Sequence, residues 1–243
     1  MGFADLHSHI LCAVDDGAKT AEDMYALLDA SRADGVRTLC FTPHYHPGYF
    51  GDNRAGTESA FALAQEYVRE KYPDMELYLG NELRYDRACG AWLAAGECRT
   101  LNASRYLLVD FRQDESGGQI VEALSHLLGL GYTPVLAHAE RYDGFHSDGR
   151  EIEALRSRGV VIQIDALSPF GGWGFASRRR SRTLLKKHLV DLVGSDTHDA
   201  LQRPSGMTKC YEFVRQSQGE ARADLLFREN PRAILSDSCI GKG

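Results

Sequence analysis

Asp5-Leu6-His7-Ser8-His9 near the start of the chain and Gly194-Ser195-Asp196-Thr197-His198 near its end are the stretches whose reading decides the fold. Side chains alternate along a strand, so His-x-His at the end of a first strand places two imidazoles on one side of the chain. Asp-x-His at the end of a late strand does the same with a carboxylate and an imidazole. Histidine and carboxylate together are ligands for borderline divalent metals such as zinc, manganese or iron. One such pair is weak evidence, because a lone His-x-His is more often local packing. This chain repeats the pattern wherever a strand is expected to end.

Between the two stretches the sequence alternates strand and helix signals. Strands are expected at 3–6, 36–42, 76–79, 105–111, 134–137, 160–164 and 191–193. Helices are expected after a Thr20 cap with Asp23 three residues on, then over 57–72, 120–130, 151–158 and 177–188, with two more around 209–215 and 221–227. Strands separated by helices mean βα units, hence a parallel barrel or a doubly wound sheet. The polar residues choose between them. Strand ends carry His7 and His9, Thr42 and His44, Asn81 and Glu82, Asp110, His138 and Glu140, Gln163 and Asp165, and Asp196 and His198. A closed barrel brings these ends to one face, where barrel enzymes build their sites. An open sheet would spread them over many spacings of about 4.8 Å. The expectation is a distorted, seven-stranded α/β barrel, with residues 1–243 as one domain.

Composition limits the function. The formal charge is −6 with 43% hydrophobic residues, which argues for a sizeable core and against nucleic acid as the partner. Residues 1–5 carry no basic n-region or apolar run, and no stretch approaches the length of a membrane span, so a cytoplasmic protein without membrane insertion is expected. The six cysteines show no short regular spacing, which favours reduced thiols over a disulfide framework.

His7-x-His9-Ile10-Leu11, Asp15-Asp16-Gly17-Ala18-Lys19-Thr20, Thr42-Pro43-His44, Gly80-Asn81-Glu82, His138-Ala139-Glu140-Arg141-Tyr142 and Gly194-Ser195-Asp196-Thr197-His198 together resemble the PHP (polymerase and histidinol phosphatase) superfamily. More closely, they resemble its bacterial tyrosine-protein phosphatase branch of the CpsB/YwqE type, regulators of capsule and exopolysaccharide synthesis. The resemblance runs from residue 5 to about residue 205, and the DDGAKT and HAERY stretches select this branch. It implies a distorted (β/α)7 barrel holding three divalent metals, manganese first, with iron or zinc as the other choices. By position it places His7, His9, Glu82 and Asp196 around one metal. Glu82, Asp110 and His138 would hold a second, and Asp16, His44 and His198 a third. It further implies that Arg141 and Arg203 hold phosphate, and that the substrate is a phosphotyrosine protein, a bacterial tyrosine kinase with a tyrosine-rich tail. The chain departs from the family pattern at Cys12-Ala13, where Pro-Gly is usual, at Ala139 for Pro, at Asp165 for Asn, and at Asp110 for Glu.

The chemistry is coherent without the resemblance. Hydroxide shared between metals can have a pKa of about 7 and attack phosphorus directly, while arginine offers a bidentate fork to phosphoryl oxygens. A tyrosine ester leaves as a phenolate of pKa near 10 and asks little of a general acid; His46 is the candidate acid. Gln163 and Asp165 are expected to orient ligands. Plainer readings stand beside these: Asp15-Asp16-Gly17 as a turn, Arg141 as a salt-bridge partner of Glu140, Arg203-Pro204-Ser205 as a loop, and Arg178–Arg182 as a solvated helix face rather than a docking patch. Tyr45, Tyr49 and Phe50 either flank a substrate ring or cover the barrel mouth. Competing activities are a small-molecule phosphatase acting on histidinol phosphate, an amidohydrolase, and a non-catalytic binding module.

Overall fold

The computed structural model describes residues 2–242. Among the described residues nine strands run in parallel: β1 (Phe3–Asp5), β2 (Val36–Phe41), β3 (His44–Tyr45), β4 (Glu76–Leu79), β5 (Glu82–Arg84), β6 (Tyr106–Asp110), β7 (Thr133–Leu136), β8 (Val161–Asp165) and β9 (Leu192–Gly194). They pair in the orders β1-β2-β4 and β3-β5-β6-β7-β8-β9. The expected second and third strands form as β2 and β4, and each is followed by an unexpected short strand, β3 and β5. Pro43, which has no N–H, separates β2 from β3, and Gly80-Asn81 separates β4 from β5. Pairing nevertheless continues across both breaks, since Gly80 donates to the Phe41 carbonyl at 2.8 Å and Glu82 to that of Pro43 at 3.2 Å. Ser8 bridges Thr197 in parallel, with Asp196 donating to the His7 carbonyl and His9 to that of Thr197, both at 2.9 Å. The two diagnostic stretches thus form the seam of the expected barrel.

Helices follow the strands. The Thr20 cap is present as a reciprocal box with Asp23, both bonds at 3.1 Å, opening the helix Ala21–Ala33. Several other helices begin earlier than periodicity indicates. Arg54–Lys71 starts ahead of Thr57 and follows an unexpected short helix, Pro47–Phe50. Gly117–Gly129 starts ahead of Ile120 because Ser116 accepts from Gln119 N and caps a turn containing two glycines. Gly174–Lys186 also starts on a glycine. Glycine weakens a helix interior but does not forbid a first turn. Among the described residues, no helix is long and apolar enough to cross a membrane.

Buried apolar side chains fall into two clusters. The larger lies between strands and helices. The smaller receives Leu6, Cys40, Leu108, Val135, Val161 and Leu192, contributed from around the ring, so it fills the barrel interior. Alternation then places the polar residues. On β6, Tyr106 and Leu108 point inward while Leu107 and Val109 point outward, so the period of two carries Asp110 to the inner face at the mouth. On β8, Val161 is inner and Ile162 and Ile164 are outer, which puts Gln163 and Asp165 on the inner face. Each buried aliphatic side chain here contributes about 1.5–3 kcal/mol.

Gly194 belongs to the same inner layer. A Cβ there would lie 2.7 Å from His7 Cβ and 2.9 Å from Gln163 Nε2. Gly194→Ala should therefore cost about 1–3 kcal/mol through overpacking. Gly118→Ala, in a helical turn with open space around it, should be neutral or stabilising by about 0.5–1 kcal/mol. Chemical denaturation of both variants checks this; equal stabilities would refute the tight contact at Gly194.

Candidate metal centre and phosphate cavity

The inner face of the mouth collects every expected ligand around one buried carboxylate. Glu82 Oε1 lies 3.3 Å from His7 Nε2 and 3.0 Å from His138 Nε2, and Oε2 lies 3.2 Å from His9 Nε2 and 2.8 Å from His44 Nδ1. Asp196 Oδ1 sits 3.4–3.5 Å from His7, His9 and His198. Asp16 Oδ1 is 3.2 Å from His198 Nε2 and 3.5 Å from His44 Nε2, and Asp110 Oδ1 is 3.5 Å from His138 Nε2. Ligand atoms converge within 4.8 Å in three groups: His9-Asp16-His44-His198, His7-His9-Glu82 and His44-Glu82-Asp110. This grouping differs from the expected one. His9 stands between two groups, His44 reaches toward Glu82 and Asp110, and Asp196 and His138 flank the groups.

The donor set fits divalent cations. His138 Nδ1 is buried without a partner among the described residues, and Glu82 Oε2, His44 Nδ1 and His198 Nε2 meet only other members of the cluster, outside good hydrogen-bond geometry, a state that costs free energy unless a cation pairs with them. Nitrogen and carboxylate oxygen are the ligands that borderline divalent ions take. Without a cation the residues compensate one another. Burial pulls the His7 imidazolium down, but Glu82 and Asp196 outweigh it and lift its pKa to about 9. Burial disfavours the Glu82 carboxylate, yet His7 and His44 hold its pKa well below the usual range. Burial and His9 lower His198 to about 4, which keeps that ring neutral and available as a ligand.

Supporting residues fix the ligands. Asp15, read from sequence only as part of a turn, has a buried side chain. Its Oδ2 faces His9 Nδ1 at 2.6 Å and accepts from His44 N at 3.0 Å, and its Oδ1 accepts from Gly17 N at 3.0 Å. Burial opposes its ionisation, but the His9 pairing prevails and brings its pKa to about 2. The adjacent aspartates thus divide the work: Asp16 faces the cluster and Asp15 orients His9. Gly17 is required there, because a Cβ would fall 1.7 Å from the His9 carbonyl oxygen. Gln163 orients ligands as expected, its Oε1 accepting from His138 N at 2.8 Å and facing His7 Nδ1 at 3.1 Å. Asp165 accepts from Gln163 Nε2 with Oδ1 at 3.2 Å and pairs with Arg141 through Oδ2. His138 and Asp196 both adopt left-handed backbone, φ 34° and 53°, a strain of about 1–3 kcal/mol characteristic of functional sites.

A cavity of about 210 Å³ opens on this cluster, with His44, Glu82, Asp110, His138 and Asp196 on its wall together with Arg141 and Arg203. Arg141 pairs with Asp165 and Asp196, and Arg203 Nη2 is 2.7 Å from Asp196 Oδ2. Trp173 lies under both guanidiniums, 3.5 Å from Arg141 and 4.8 Å from Arg203 to the ring centroid. Trp173 carried no sequence signal beyond its glycine-rich loop. Glu140 is not the partner of Arg141; its Oε1 accepts from Ser168 Oγ and Asp165 N.

Other expectations change. Tyr45 is buried with its hydroxyl 3.3 Å from Glu97, so it covers the barrel and cannot flank a substrate ring. Phe50 stacks on His44 at 4.7 Å, and Tyr49 is exposed beside His46. His46 Nδ1 accepts from Gly48 N and borders a neighbouring cavity, not the one on the ligand cluster. In the arginine run, Arg180 donates to the Glu140 and Tyr142 carbonyls and pairs with Asp143, and Arg182 donates to the Pro169 carbonyl. Those two side chains fasten loops around the site. Among the described residues no cysteine lines the ligand cavity, and burial pushes the Cys40, Cys98 and Cys210 thiols far up.

Replacing Asp15 by Asn should weaken metal affinity by about ten- to hundredfold with the fold retained. Competition with a chromogenic chelator reads this directly; unchanged affinity would return Asp15 to a turn residue.

Comparison with known proteins identifies the family. The family described as capsular polysaccharide synthesis, CpsB/CapC, matches residues 3–236. The chain is 36% identical to the tyrosine-protein phosphatase CpsB of Streptococcus pneumoniae, over 97% of this chain and 99% of that protein. It is 27% identical to the tyrosine-protein phosphatase YwqE of Bacillus subtilis, over 98% of each. Crystal structures of YwqE and CpsB, described as unique metal-dependent tyrosine phosphatases, superpose with a TM-score of 0.88 at 28% identity, covering 98% of this chain and 96% of that one. The phosphotriesterase homology protein of Escherichia coli shares the fold alone, with a TM-score of 0.64 at 14% identity, over 96% of this chain and 98% of that one. The chain belongs to the CpsB/CapC family of capsular polysaccharide synthesis.

Proposed function

We propose that this chain is a metal-dependent protein-tyrosine phosphatase, one domain over residues 1–243, acting in the cytoplasm on a phosphotyrosine protein of polysaccharide synthesis. A bacterial tyrosine kinase is the partner this reading names, and three divalent ions, manganese first, are the cofactors. The observation that carries it is a single cavity whose wall joins metal-type ligands to Arg141 and Arg203. Cation ligands alone would suit many hydrolases. Adding two guanidiniums makes the cavity selective for a compact dianion such as a phosphate monoester.

His7, His9, Asp16, His44, Glu82, Asp110, His138, Asp196 and His198 would hold the ions. When bound, divalent ions would supply a deprotonated water at neutral pH and charge compensation for the phosphoryl oxygens. The chain's own part is to bind and orient. Arg141 and Arg203, braced on the Trp173 ring and on Asp196, would hold the non-bridging oxygens as charge builds in the transition state. No thiol is needed as nucleophile. Since phenolate leaves without a strong proton donor, the position of His46 outside the ligand cavity is no obstacle.

Metal-reconstituted protein assayed side by side on a phosphotyrosine peptide, a phosphoserine peptide and histidinol phosphate tests the reading. Phosphotyrosine should be preferred roughly tenfold or more, with loss of activity in chelator and indifference to thiol alkylation. Preference for histidinol phosphate would overturn the reading in favour of a small-molecule phosphatase. Changing Arg141 or Arg203 to Ala should lower kcat/KM by roughly a hundredfold or more without altering metal content. Lost metal, or unchanged kinetics, would make them structural.

A further inference from the structure

A third arginine enters the cavity from the opposite part of the barrel wall. Arg84 sits two residues after Glu82 on β5, so the pleat sends both side chains to the inner face. Arg84 and Asp110 are lateral partners in the pairing of β5 with β6, and Arg84 Nη2 is 2.5 Å from Asp110 Oδ2. The other oxygen, Oδ1, faces Tyr142 Oη at 3.3 Å and His138 Nε2 at 3.5 Å. The carboxylate therefore offers one oxygen to the ligand cluster and holds the guanidinium with the other.

The Arg84 Nε is buried without a hydrogen-bond partner among the described residues, as are those of Arg141 and Arg203 and of Arg32 and Arg228, which pair with Asp74 and Asp224 away from the cluster; what separates Arg84 from the last two is the cavity it lines, where a ligand can accept from it. Arg84 also lines the same 210 Å³ cavity as Arg141 and Arg203, and it borders the adjoining cavity of about 270 Å³ together with Tyr85 and Phe111. Its position repeats that of Arg203, a guanidinium held by one oxygen of an acidic residue whose other oxygen faces the imidazoles.

We propose that Arg84 is a third phosphate-binding arginine, donating from the β5 side to a non-bridging oxygen while Arg141 and Arg203 donate from the side of β9. The proposal rests on the phosphatase reading. A monoester dianion has three non-bridging oxygens, and donors on two walls restrain its rotation where donors on one wall would not. Asp110 then acts as the orienting group for Arg84. The short Asp110 side chain keeps its carboxylate beside the β5 residue.

Calorimetric titration of manganese-reconstituted protein with inorganic phosphate tests this, with elemental analysis of each variant. Arg84→Ala should weaken phosphate binding by about ten- to hundredfold at unchanged metal content, and Arg84→Lys should restore part of it, since a point charge lacks the fork. Should the alanine variant lose its fold, Arg84→Gln keeps the stem and removes the charge. Phosphate affinity within twofold of wild type, or weakening that tracks lost metal, overturns the proposal and leaves Arg84 as the counter-ion of Asp110. If Arg141→Ala weakens phosphate binding and Arg84→Ala does not, only the Arg84 role falls. If wild-type protein binds metal but neither binds phosphate nor hydrolyses phosphotyrosine, the phosphatase reading falls and takes this proposal with it.

Discussion

Glu82 is a carboxylate with almost no access to solvent, and four imidazoles from three other segments of the chain close on it. Burying such a group is costly unless positive charge or a metal answers it. The rest of the structure is arranged around that requirement. The break at Gly80-Asn81 sets Glu82 at the head of β5, the seam between the first and last strands brings His7 and His9 beside it, and the left-handed turn at His138 aims a further ring at its Oε1. Remove the carboxylate and the imidazoles would face one another with nothing between them.

The same logic governs the second layer. Asp15 fixes His9, Gln163 spans His7 and His138, and Asp5 accepts from His7 N and Ser195 N beneath the cluster. Burial lifts the Asp5 carboxyl to about 6 against the opposing hydrogen bonds from Ser195 and His7. Outside this layer the guanidiniums of Arg84, Arg141 and Arg203 pair with Asp110 and Asp196. Acidic residues that face imidazoles on one oxygen and arginine on the other make the cavity a place where cation and dianion are compensated together. Such coupling favours a phosphate ester over a neutral ester or amide of similar size.

Much of this was legible in the sequence because alternation is a strict rule. Once strands were placed, His7 with His9 and Asp196 with His198 had to share faces, and the charged strand ends had to converge in a closed barrel. Alternation cannot report which neighbouring side chain a ligand leans on. The resemblance singled out Asp16 as a ligand but left Asp15 as a turn residue, and only the path of the loop around Gly17 shows that Asp15 orients His9. Arg84 lies beyond the expected third strand and carried no signal until its pairing with Asp110 was fixed by register. Trp173 acts through stacking across a loop, an interaction with no local signature. The helix starts at Gly117 and Gly174 were missed for a different reason: glycines read as breakers are tolerated in a first turn when caps and packing supply the stability.

The central claim is that a divalent ion, not a network of protonated histidines, answers the charge of Glu82. Anomalous scattering from crystals of protein purified without chelator measures this most directly, with native protein beside Glu82→Gln. The account expects strong anomalous peaks within coordination distance of Glu82, about 2.0–2.2 Å for a first-row ion, and their loss or marked depletion in the variant. Native crystals with no anomalous density among His7, His9, His44 and Glu82, or peaks that persist undiminished in Glu82→Gln, would contradict it.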